Sequence, residues 1–398
     1  MTKSQSIFTQ AVHAGERAPR PDFTPVSTPI YHSVGYLYDE MADLDAVFGG
    51  SKEGFVYARY GCPTISAFEK AVAALEGAED AVAYASGMAA VHGALIAAGA
   101  ASGQAVVCAT DVYGATYALL ARSLAALGVR TRFVDICNLA EVEEAISQEQ
   151  PRALLFEIIS NPLMKVANLP RLAELAHRVG AQVLVDATFA TPYLLRSLEQ
   201  GADFAIHSAT KYISGHGDVL AGVIACSAQR AATLREQQKV FGANLGPEEA
   251  WLALRGIKTL PLRMREQCAN ASKVAAWLAH QHRIRQVNYP GLPQHPQHEL
   301  TARLFGGLGY GAMLSFELQD SQREDVFRFM QSLKMIQPVT TLGDVYSLVL
   351  YPAMSSHRAL GPELRATLGI NENLVRMSVG IEDVQDIIAD LEQALAAV

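Results

Sequence analysis

The sequence predicts an α/β protein with a mostly parallel sheet, flanking helices and a smaller C-terminal α/β domain. Short apolar runs alternate along the chain with alanine-rich stretches of helical periodicity. Such alternation is typical of βαβ units, which build a parallel sheet covered by helices. A shorter β/α region follows Pro247. The chain has 398 residues, half of them hydrophobic, and roughly 150 residues per domain indicates two or three domains.

Residues 1–60 are rich in proline, glycine and aromatic residues and show little periodicity. We predict that they form an extended arm that contacts a neighbouring subunit. A helix is predicted from Thr64 to Gly77, because glycine favours a helix end and apolar side chains recur on one helical face. That face comprises Ile65, Phe68, Val72 and Leu75.

A large domain is predicted over residues 61–256 and a small one over residues 257–398. Apolar runs predict strands of the large domain at 81–86, 104–109, 153–158, 182–187 and 203–208. Helical patterns at 247–256 and 262–281 lead into the small domain, where further strands are predicted at 311–318 and 374–380.

Composition argues against several classes of protein. The formal net charge is −8 and no run of five like charges occurs, so nucleic acid is not an expected partner. The N-terminal sequence has no apolar signal region and no stretch of about eighteen apolar residues follows, which predicts a cytoplasmic protein without membrane association. Five scattered cysteines without a CxxC suit reduced thiols. The pairs His280/His282 and His295/His298 lack carboxylate or cysteine companions, so no metal site is predicted.

The segment HSATKYISGHGD at 207–218 follows an apolar strand. Ligands bind at strand ends in open α/β sheets. A lysine used for imine chemistry needs neighbours that suit an anionic cofactor, and the hydroxyls of Ser208 and Thr210 are able to bind a phosphate. Lys211 is therefore a candidate cofactor-binding lysine; a solvated loop lysine is the alternative.

Two other segments favour the first interpretation. Asp186 ends the apolar run QVLVDA, where a carboxylate is able to pair with a protonated pyridine nitrogen or, alternatively, cap a helix. Ser86-Gly87-Met88 leads from a strand into a helix and aims free backbone N–H groups at a phosphate. The order of glycine turn, aspartate and lysine is what the chemistry of pyridoxal 5'-phosphate requires.

Together, several motifs make the chain similar to the family of pyridoxal-phosphate enzymes of cysteine and methionine metabolism. These motifs are YARYGCPT, SGMAA, DVYGATY, SNP, VDATF, HSATKYISGHGD, LRGIKTLPLRM and LVRMSVGIED. The resemblance runs from about residue 8 to the C-terminus. It implies fold type I, the aminotransferase-like α/β fold of PLP-dependent enzymes.

The resemblance also implies how the cofactor is held. Lys211 matches the lysine that forms the Schiff base and carries protons between Cα and Cβ, and Asp186 matches the partner of the pyridinium nitrogen. Tyr113 matches the aromatic residue that stacks on the pyridine ring and serves as acid or base at the leaving sulfur. The phosphate cup corresponds to Gly87, Met88, Ser208 and Thr210.

Two further sets of matching residues concern the neighbouring subunit and the substrate. Tyr57 and Arg59 resemble the pair that reaches the phosphate of the neighbouring subunit, which implies at least a dimer and, for this family, a homotetramer. Arg376 resembles the guanidinium that clamps the substrate α-carboxylate, with Asn161 and Thr341 in matching positions nearby. Departures from the family pattern are Cys62, Ala187 and the threonine at 341 in place of serine.

The distal end of the substrate is what distinguishes reactions within the family. The cystathionine-handling members carry an arginine shortly after the stacking tyrosine and a glutamate before the carboxylate-site serine. Here GATYALLA follows Tyr113, and Thr340 precedes Thr341. An uncharged tail therefore fits best, and we predict a lyase of the methionine γ-lyase type, although Ala115 replaces a cysteine common in those enzymes.

Other activities also fit the sequence. An O-acylhomoserine sulfhydrylase is the second choice and a cystathionine synthase or lyase the third. A PLP-binding regulator without turnover would have lost Lys211, Asp186 or Arg376, and all three are present. Aldol-type chemistry at Lys211 without a cofactor predicts a colourless protein.

Overall fold

The computed structural model describes residues 6–14 and 25–398, and within these residues the chain forms two sheets. The larger sheet has seven strands in the order β1-β7-β6-β5-β4-β2-β3. Within this sheet, as far as the structure describes it, only the two pairings of β7, with β1 and β6, are antiparallel. These strands are Asp80–Tyr84 (β1), Ala105–Ala109 (β2), Arg130–Val134 (β3), Ala153–Glu157 (β4), Gln182–Asp186 (β5), Phe204–His207 (β6) and Gly222–Cys226 (β7).

The five predicted strands of this sheet are confirmed, each one or two residues shorter than predicted. Every residue of β2, β4 and β7 is buried, as expected when helices cover both faces of a sheet. Helices alternate with these strands. They are Pro63–Glu76 (α3), Gly87–Ala97 (α4), Gly114–Ala118 (α5), Leu139–Glu149 (α6), Leu169–Arg178 (α7), Thr191–Leu194 (α8), Ala228–Phe241 (α9), Pro247–Ile257 (α10) and Leu260–Leu278 (α11).

Helix α3 shows how the local sequence specifies an element. Pro63 occupies the first helical position, where its missing N–H costs no hydrogen bond. The predicted apolar face is buried against the sheet, and Gly77 ends the helix in the left-handed conformation at φ 68°. Cys62, one of the departures from the family pattern, is the buried residue that precedes this helix.

The second sheet lies in the C-terminal part of the chain and has five strands among the described residues, in the order β10-β11-β12-β9-β8. They are Ile284–Asn288 (β8), Met313–Leu318 (β9), Gln337–Pro338 (β10), Leu348–Leu350 (β11) and Leu374–Ser378 (β12). The accompanying helices are His298–Leu304 (α12), Arg323–Ser332 (α13), Gly361–Thr367 (α14) and Val384–Leu395 (α15).

A separate hydrophobic cluster supports the second sheet. Helix α11 joins the two cores, because Met264 and Cys268 pack into the first cluster while Val274 and Leu278 pack into the second. A small sheet domain is thus present, and the predicted boundary near residue 257 stays a prediction. No helix in the described ranges combines the length and apolar character needed to cross a membrane.

The N-terminal segment, predicted as an extended arm, contains two short α-helices among its described residues, Ile7–His13 (α1) and Met41–Phe48 (α2). Its predicted contact with a neighbouring subunit stays a prediction. Helix α1 packs on its own chain, since Ala11 is buried and the ring of Phe8 meets that of Tyr193 edge-on at 6.3 Å. Helix α2 buries none of its residues in the chain. Residues 1–5 and 15–24 of the predicted arm lie outside the described residues.

Candidate active site

A cavity of about 550 Å³ opens at the carboxyl ends of the parallel strands, where ligands bind in open α/β sheets. It brings together residues that are far apart in the sequence and come from both sheets. The predicted site residues in its wall are Gly87, Met88, Tyr113, Asn161, Asp186, Ser208, Thr210, Lys211 and Arg376. Thr341 borders it through a hydrogen bond with Lys211.

The first turn of α4 forms one end of this cavity. The side chain of Ser86 caps the helix by accepting a hydrogen bond from the backbone N–H of Ala89 at 3.1 Å. The N–H groups that precede Ala89 have no partner within the helix, and together with the helix dipole they suit a phosphate. A Cβ at Gly87 would lie 2.8 Å from Cβ of Ser208, so glycine allows this turn to touch the lysine segment.

A second glycine, Gly222 on β7, packs directly against the same turn. A Cβ on Gly222 would lie 2.2 Å from the carbonyl oxygen of Ser86 and 2.9 Å from Cα of Gly87. Both are backbone atoms, so the turn itself would have to move. Overpacking of this kind costs about 1–3 kcal/mol.

We expect Gly222→Ala to weaken cofactor binding by about ten-fold, because the displaced turn no longer presents its N–H groups correctly. Titration of the apoprotein with pyridoxal phosphate, followed by visible absorption, measures this. Gly180→Ala is the control for a general loss of stability, because it places a Cβ at an exposed turn where no atom lies within 4 Å. Unchanged affinity in Gly222→Ala would show that the turn does not hold the phosphate.

Asp186 lies at the end of β5 and faces the cavity. One carboxylate oxygen accepts the backbone N–H of Thr188 at 3.0 Å. Burial raises the pKa of Asp186, while the hydrogen bonds from Thr188 oppose that rise. A cationic pyridine nitrogen would supply the positive charge that stabilises the ionised form of this buried carboxylate.

Lys211 approaches from the opposite segment and donates from Nζ to Oγ1 of Thr341 at 3.0 Å. Burial, together with the positive charge of Arg376, lowers the pKa of Lys211 to about 8. A substantial fraction of the amine is therefore neutral near pH 8, as a nucleophilic amine must be. The residues present thus fit pyridoxal phosphate at the phosphate turn, the pyridine nitrogen and the aldehyde end.

The two hydroxyl residues beside Lys211 differ in their environment. The hydroxyl of Thr210 donates to the carbonyl of Ala221 at 3.1 Å and accepts the N–H of Ala221 at 3.0 Å. Its proton is therefore already engaged in holding the turn, and its contact with a phosphate stays a prediction. The backbone N–H of Ser208 donates to Oγ1 of Thr188 at 2.8 Å, which fixes the segment against the loop that follows β5.

Arg376, on β12 of the second sheet, reaches into the same cavity. It donates from Nη1 to Oδ1 of Asn161 at 3.2 Å and from Nη2 to the carbonyl of Thr341 at 3.1 Å. Burial lowers its pKa to about 10, and its Nε is buried without a hydrogen-bond partner. Within the described ranges, no carboxylate forms an ion pair with Arg376. A buried guanidinium in this state is suited to an incoming carboxylate.

Glu157 is a site residue that the sequence analysis missed. Its two carboxyl oxygens accept the backbone N–H groups of Tyr113 at 2.6 Å and Asn161 at 3.1 Å. Burial, followed by the nearby charge of Asp186, raises the pKa of Glu157 well above its ordinary value. The carboxyl group thus couples the loop of Tyr113 to that of Asn161. The available signal was a glutamate ending the buried run ALLFE.

Tyr57 and Arg59 are not brought to the cavity of their own chain. The Arg59 guanidinium donates to the carbonyl of Lys239 and lies 5.4 Å and 5.1 Å from the ring centroids of Tyr57 and Tyr60. Tyr57 and Tyr113 are each 42% exposed. Within one chain, Tyr113 therefore lines the cavity, whereas Tyr57 and Arg59 lie outside it.

The fold and this cavity define a fold type I pyridoxal-phosphate enzyme, and comparison with known proteins agrees. The model for the Cys/Met metabolism PLP-dependent enzyme family matches residues 8–396. The chain belongs to this family, its cofactor is pyridoxal 5'-phosphate, and aldol chemistry without a cofactor is ruled out by that membership.

Several relatives cover nearly the whole chain. The L-methionine gamma-lyase of Pseudomonas putida is 39% identical, over 99% of this chain and 98% of that protein. The O-succinylhomoserine sulfhydrylase of Pseudomonas aeruginosa is 40% identical, over 98% and 95% respectively. The crystal structure of the Xanthomonas oryzae cystathionine gamma synthase, in complex with aminoacrylate and cysteine, has a TM-score of 0.92 at 34% identity and covers 99% of this chain and 98% of that one. These relatives carry different activities on a shared fold.

Proposed function

We propose that the protein is a lyase that removes the γ-substituent of methionine or a related thioether amino acid. The products are a 2-oxo acid, ammonia and a thiol. The observation that carries this proposal is the distal wall of the cavity. The lining side chains of the C-terminal domain other than Arg376 are uncharged: Thr340, Leu342, Leu350, Ser355 and Ser356.

Positive charge in the cavity wall is confined, among the described residues, to the part that would hold the common end of an amino acid. Among the described residues of its wall, the cationic side chains are Lys211 and Arg376. A carboxylate in a distal tail would therefore be desolvated without a cation, which is costly. This favours an uncharged tail, such as a methyl thioether, over the zwitterionic tail of cystathionine.

Each residue of the site has a defined task in such a reaction. The α-carboxylate binds the Arg376 guanidinium, with the amide of Asn161 and the Thr341 segment holding that guanidinium in place. Bound pyridoxal phosphate supplies the aldehyde that captures amines and the ring that accepts the electron pair released at Cα. The Lys211 amine, with a pKa lowered to about 8, takes the proton from Cα and moves a proton at Cβ.

The acid at the leaving sulfur is assigned to Tyr113. Its backbone N–H is held by Glu157 at 2.6 Å, so the ring is anchored at its base while it lines the cavity. A phenol is able to protonate the sulfur as the carbon–sulfur bond breaks, which converts a thiolate leaving group into a thiol.

We also propose that two chains share each active site, and that two such dimers form a homotetramer. Tyr57 and Arg59 would then reach the phosphate of the neighbouring subunit, as their outward placement in a single chain allows. Large apolar side chains are unusually exposed in this part of the surface, which supports burial by another chain. They include Val26, Leu37, Val240 and Phe241.

A γ-replacement activity is the second candidate. It is favoured by the 40% identity with an O-succinylhomoserine sulfhydrylase over 98% of the chain. The shared first steps would be unchanged, and a thiol or sulfide would then add to Cγ in place of the release of a 2-oxo acid.

The two candidates are separated by product analysis with the purified holoenzyme. Methionine, cystathionine, cysteine and O-acetylhomoserine are each supplied with and without sulfide, and 2-oxo acids and thiols are quantified. We expect methionine to yield 2-oxobutanoate and a thiol. The proposal fails if methionine yields no 2-oxobutanoate while O-acetylhomoserine plus sulfide yields homocysteine. Absence of turnover on all four, with cofactor bound, would favour a binding protein.

A further inference from the structure

Two adjacent serines, Ser355 and Ser356, line the cavity beside Tyr113, the tyrosine proposed to protonate the leaving sulfur. A Cβ added to Gly114 would lie 2.4 Å from the carbonyl oxygen of Ser356. Glycine at that position therefore lets the serine segment press against the start of α5, directly after Tyr113. The two hydroxyls are consequently at the distal end of the cavity, if Arg376 holds the α-carboxylate as proposed above.

The hydroxyl proton of Ser355 is already used within the protein. Its Oγ donates to the backbone carbonyl of Tyr351 at 2.6 Å. A carbonyl oxygen has no proton to return, so the direction of this hydrogen bond is fixed. Towards the cavity, the Ser355 hydroxyl is therefore a hydrogen-bond acceptor.

The hydroxyl proton of Ser356 is fixed through a buried histidine. Nε2 of His357 lies 3.1 Å from the backbone carbonyl of Asn161, so Nε2 must carry the proton of that hydrogen bond. Burial, together with the charge of Arg376, lowers the pKa of His357 to about 4, so the ring is neutral near pH 7. Nδ1 is then an acceptor, and Oγ of Ser356, at 2.8 Å, must be its donor.

We infer that Ser355 and Ser356 form a fixed pair of hydrogen-bond acceptors at the distal end of the cavity, which favours a bound tail that ends in a donor, such as the thiol released by cleavage, over a tail that ends in an oxygen acceptor. The pair lies beside Tyr113, where cleavage of a carbon–sulfur bond leaves a sulfur that has just gained a proton. An S–H group is a donor, whereas an ether or ester oxygen meets two acceptors there and gains no hydrogen bond. This inference deepens the proposed function and rests on its orientation of the substrate.

Unreactive, unbranched amino acids that differ at the end of the tail test this selectivity by binding to the holoenzyme. Norleucine ends in a methyl group, 5-hydroxynorvaline ends in a donor at the same position, and 5-methoxynorvaline ends in an ether acceptor. None has a leaving group at Cγ. Dissociation constants are measured by isothermal titration calorimetry, and each is divided by that of norleucine, so that a general loss of affinity cancels.

We expect Ser356→Ala to weaken 5-hydroxynorvaline about five-fold relative to norleucine, because one neutral hydrogen bond is lost. Ser355→Ala has a similar effect if the tail reaches that hydroxyl instead. Ser356→Thr keeps the hydroxyl and retains the wild-type ratio. The surface variant Ser147→Ala is the control, since Ser147 is exposed and outside the cavity.

The direction of the hydrogen bond has its own test. His357→Ala frees the Ser356 hydroxyl to rotate and donate, so 5-methoxynorvaline gains about three-fold relative to norleucine. Unchanged 5-hydroxynorvaline ratios in both alanine variants of the serines would overturn the inference. If these ratios change as expected but methionine gives no 2-oxobutanoate, the acceptor pair stands and the proposed lyase reaction does not. If methionine yields 2-oxobutanoate but the ratios are unchanged, the proposed lyase reaction stands and the acceptor pair does not.

Discussion

Lys211→Ala is expected to lower turnover of any substrate by about 10³-fold or more, because one side chain supplies both the cofactor linkage and the proton transfers. The Nζ of Lys211 is held by Thr341 at 3.0 Å, and its lowered pKa, about 8, suits both tasks. No second lysine lines the cavity among the described residues. The expected spectroscopic result is a loss of the absorption band of lysine-linked cofactor, measured on the purified variant.

A chemical measurement gives the same prediction a sharper form. Borohydride reduction of the wild-type holoenzyme, followed by proteolysis and mass spectrometry, should locate a pyridoxyl group on the peptide that contains Lys211. Lys334→Ala is the control, since Lys334 is exposed on the C-terminal domain. A pyridoxyl label on another lysine, or full turnover in Lys211→Ala, would contradict the assigned role.

The fold was largely predictable because its elements have strong local signals. Parallel strands buried on both faces give continuous apolar runs, as in the 153–158 segment that became β4. Helix α3 was predicted from its apolar spacing and its terminal glycine. Helix α1 was missed because seven residues contain too few turns for a clear period. The antiparallel direction of β7 was not predicted, since no local pattern encodes the direction of a neighbouring strand.

The candidate site was predictable where a residue stands in a recognisable local context. Asp186 and Lys211 each follow an apolar strand, and the Ser86-Gly87 turn opens a helix. Glu157 and the Ser356–His357 pair were missed because their roles depend on contacts across the fold. Glu157 acts on backbone N–H groups 44 and 4 residues away along the chain, and His357 acts on the carbonyl of Asn161, 196 residues away.

The same distinction explains the hydroxyl of Thr210. Its place in the lysine segment suggested a free donor for a phosphate, yet in the fold it bridges the N–H and the carbonyl of Ala221. Sequence identifies which groups are available near a site. Whether a hydroxyl proton is already engaged in a hydrogen bond depends on the groups that the fold brings next to it. Such hydrogen bonds also define what Ser355 and Ser356 offer to a ligand.

Arg376→Met is expected to weaken binding of norleucine to the holoenzyme by about 10²–10³-fold, because the substrate α-carboxylate loses its buried cation. The cofactor absorption should be retained, which separates this variant from Lys211→Ala. Arg376→Lys should recover little of the loss, since a single ammonium cannot reproduce a bidentate guanidinium. Calorimetric titration with norleucine measures the effect, and Arg303→Met, at an exposed position, is the control.

Folding stability should respond in the opposite direction to binding. In the free protein the Arg376 guanidinium is buried with its pKa lowered to about 10 and its Nε without a partner. Replacing a buried charge of this kind by an apolar side chain of similar volume is often neutral or stabilising. Arg376→Met should therefore unfold at an equal or higher temperature than the wild type in a thermal melt. A lower melting temperature together with unchanged norleucine affinity would indicate a structural role, and the carboxylate would then have to bind elsewhere.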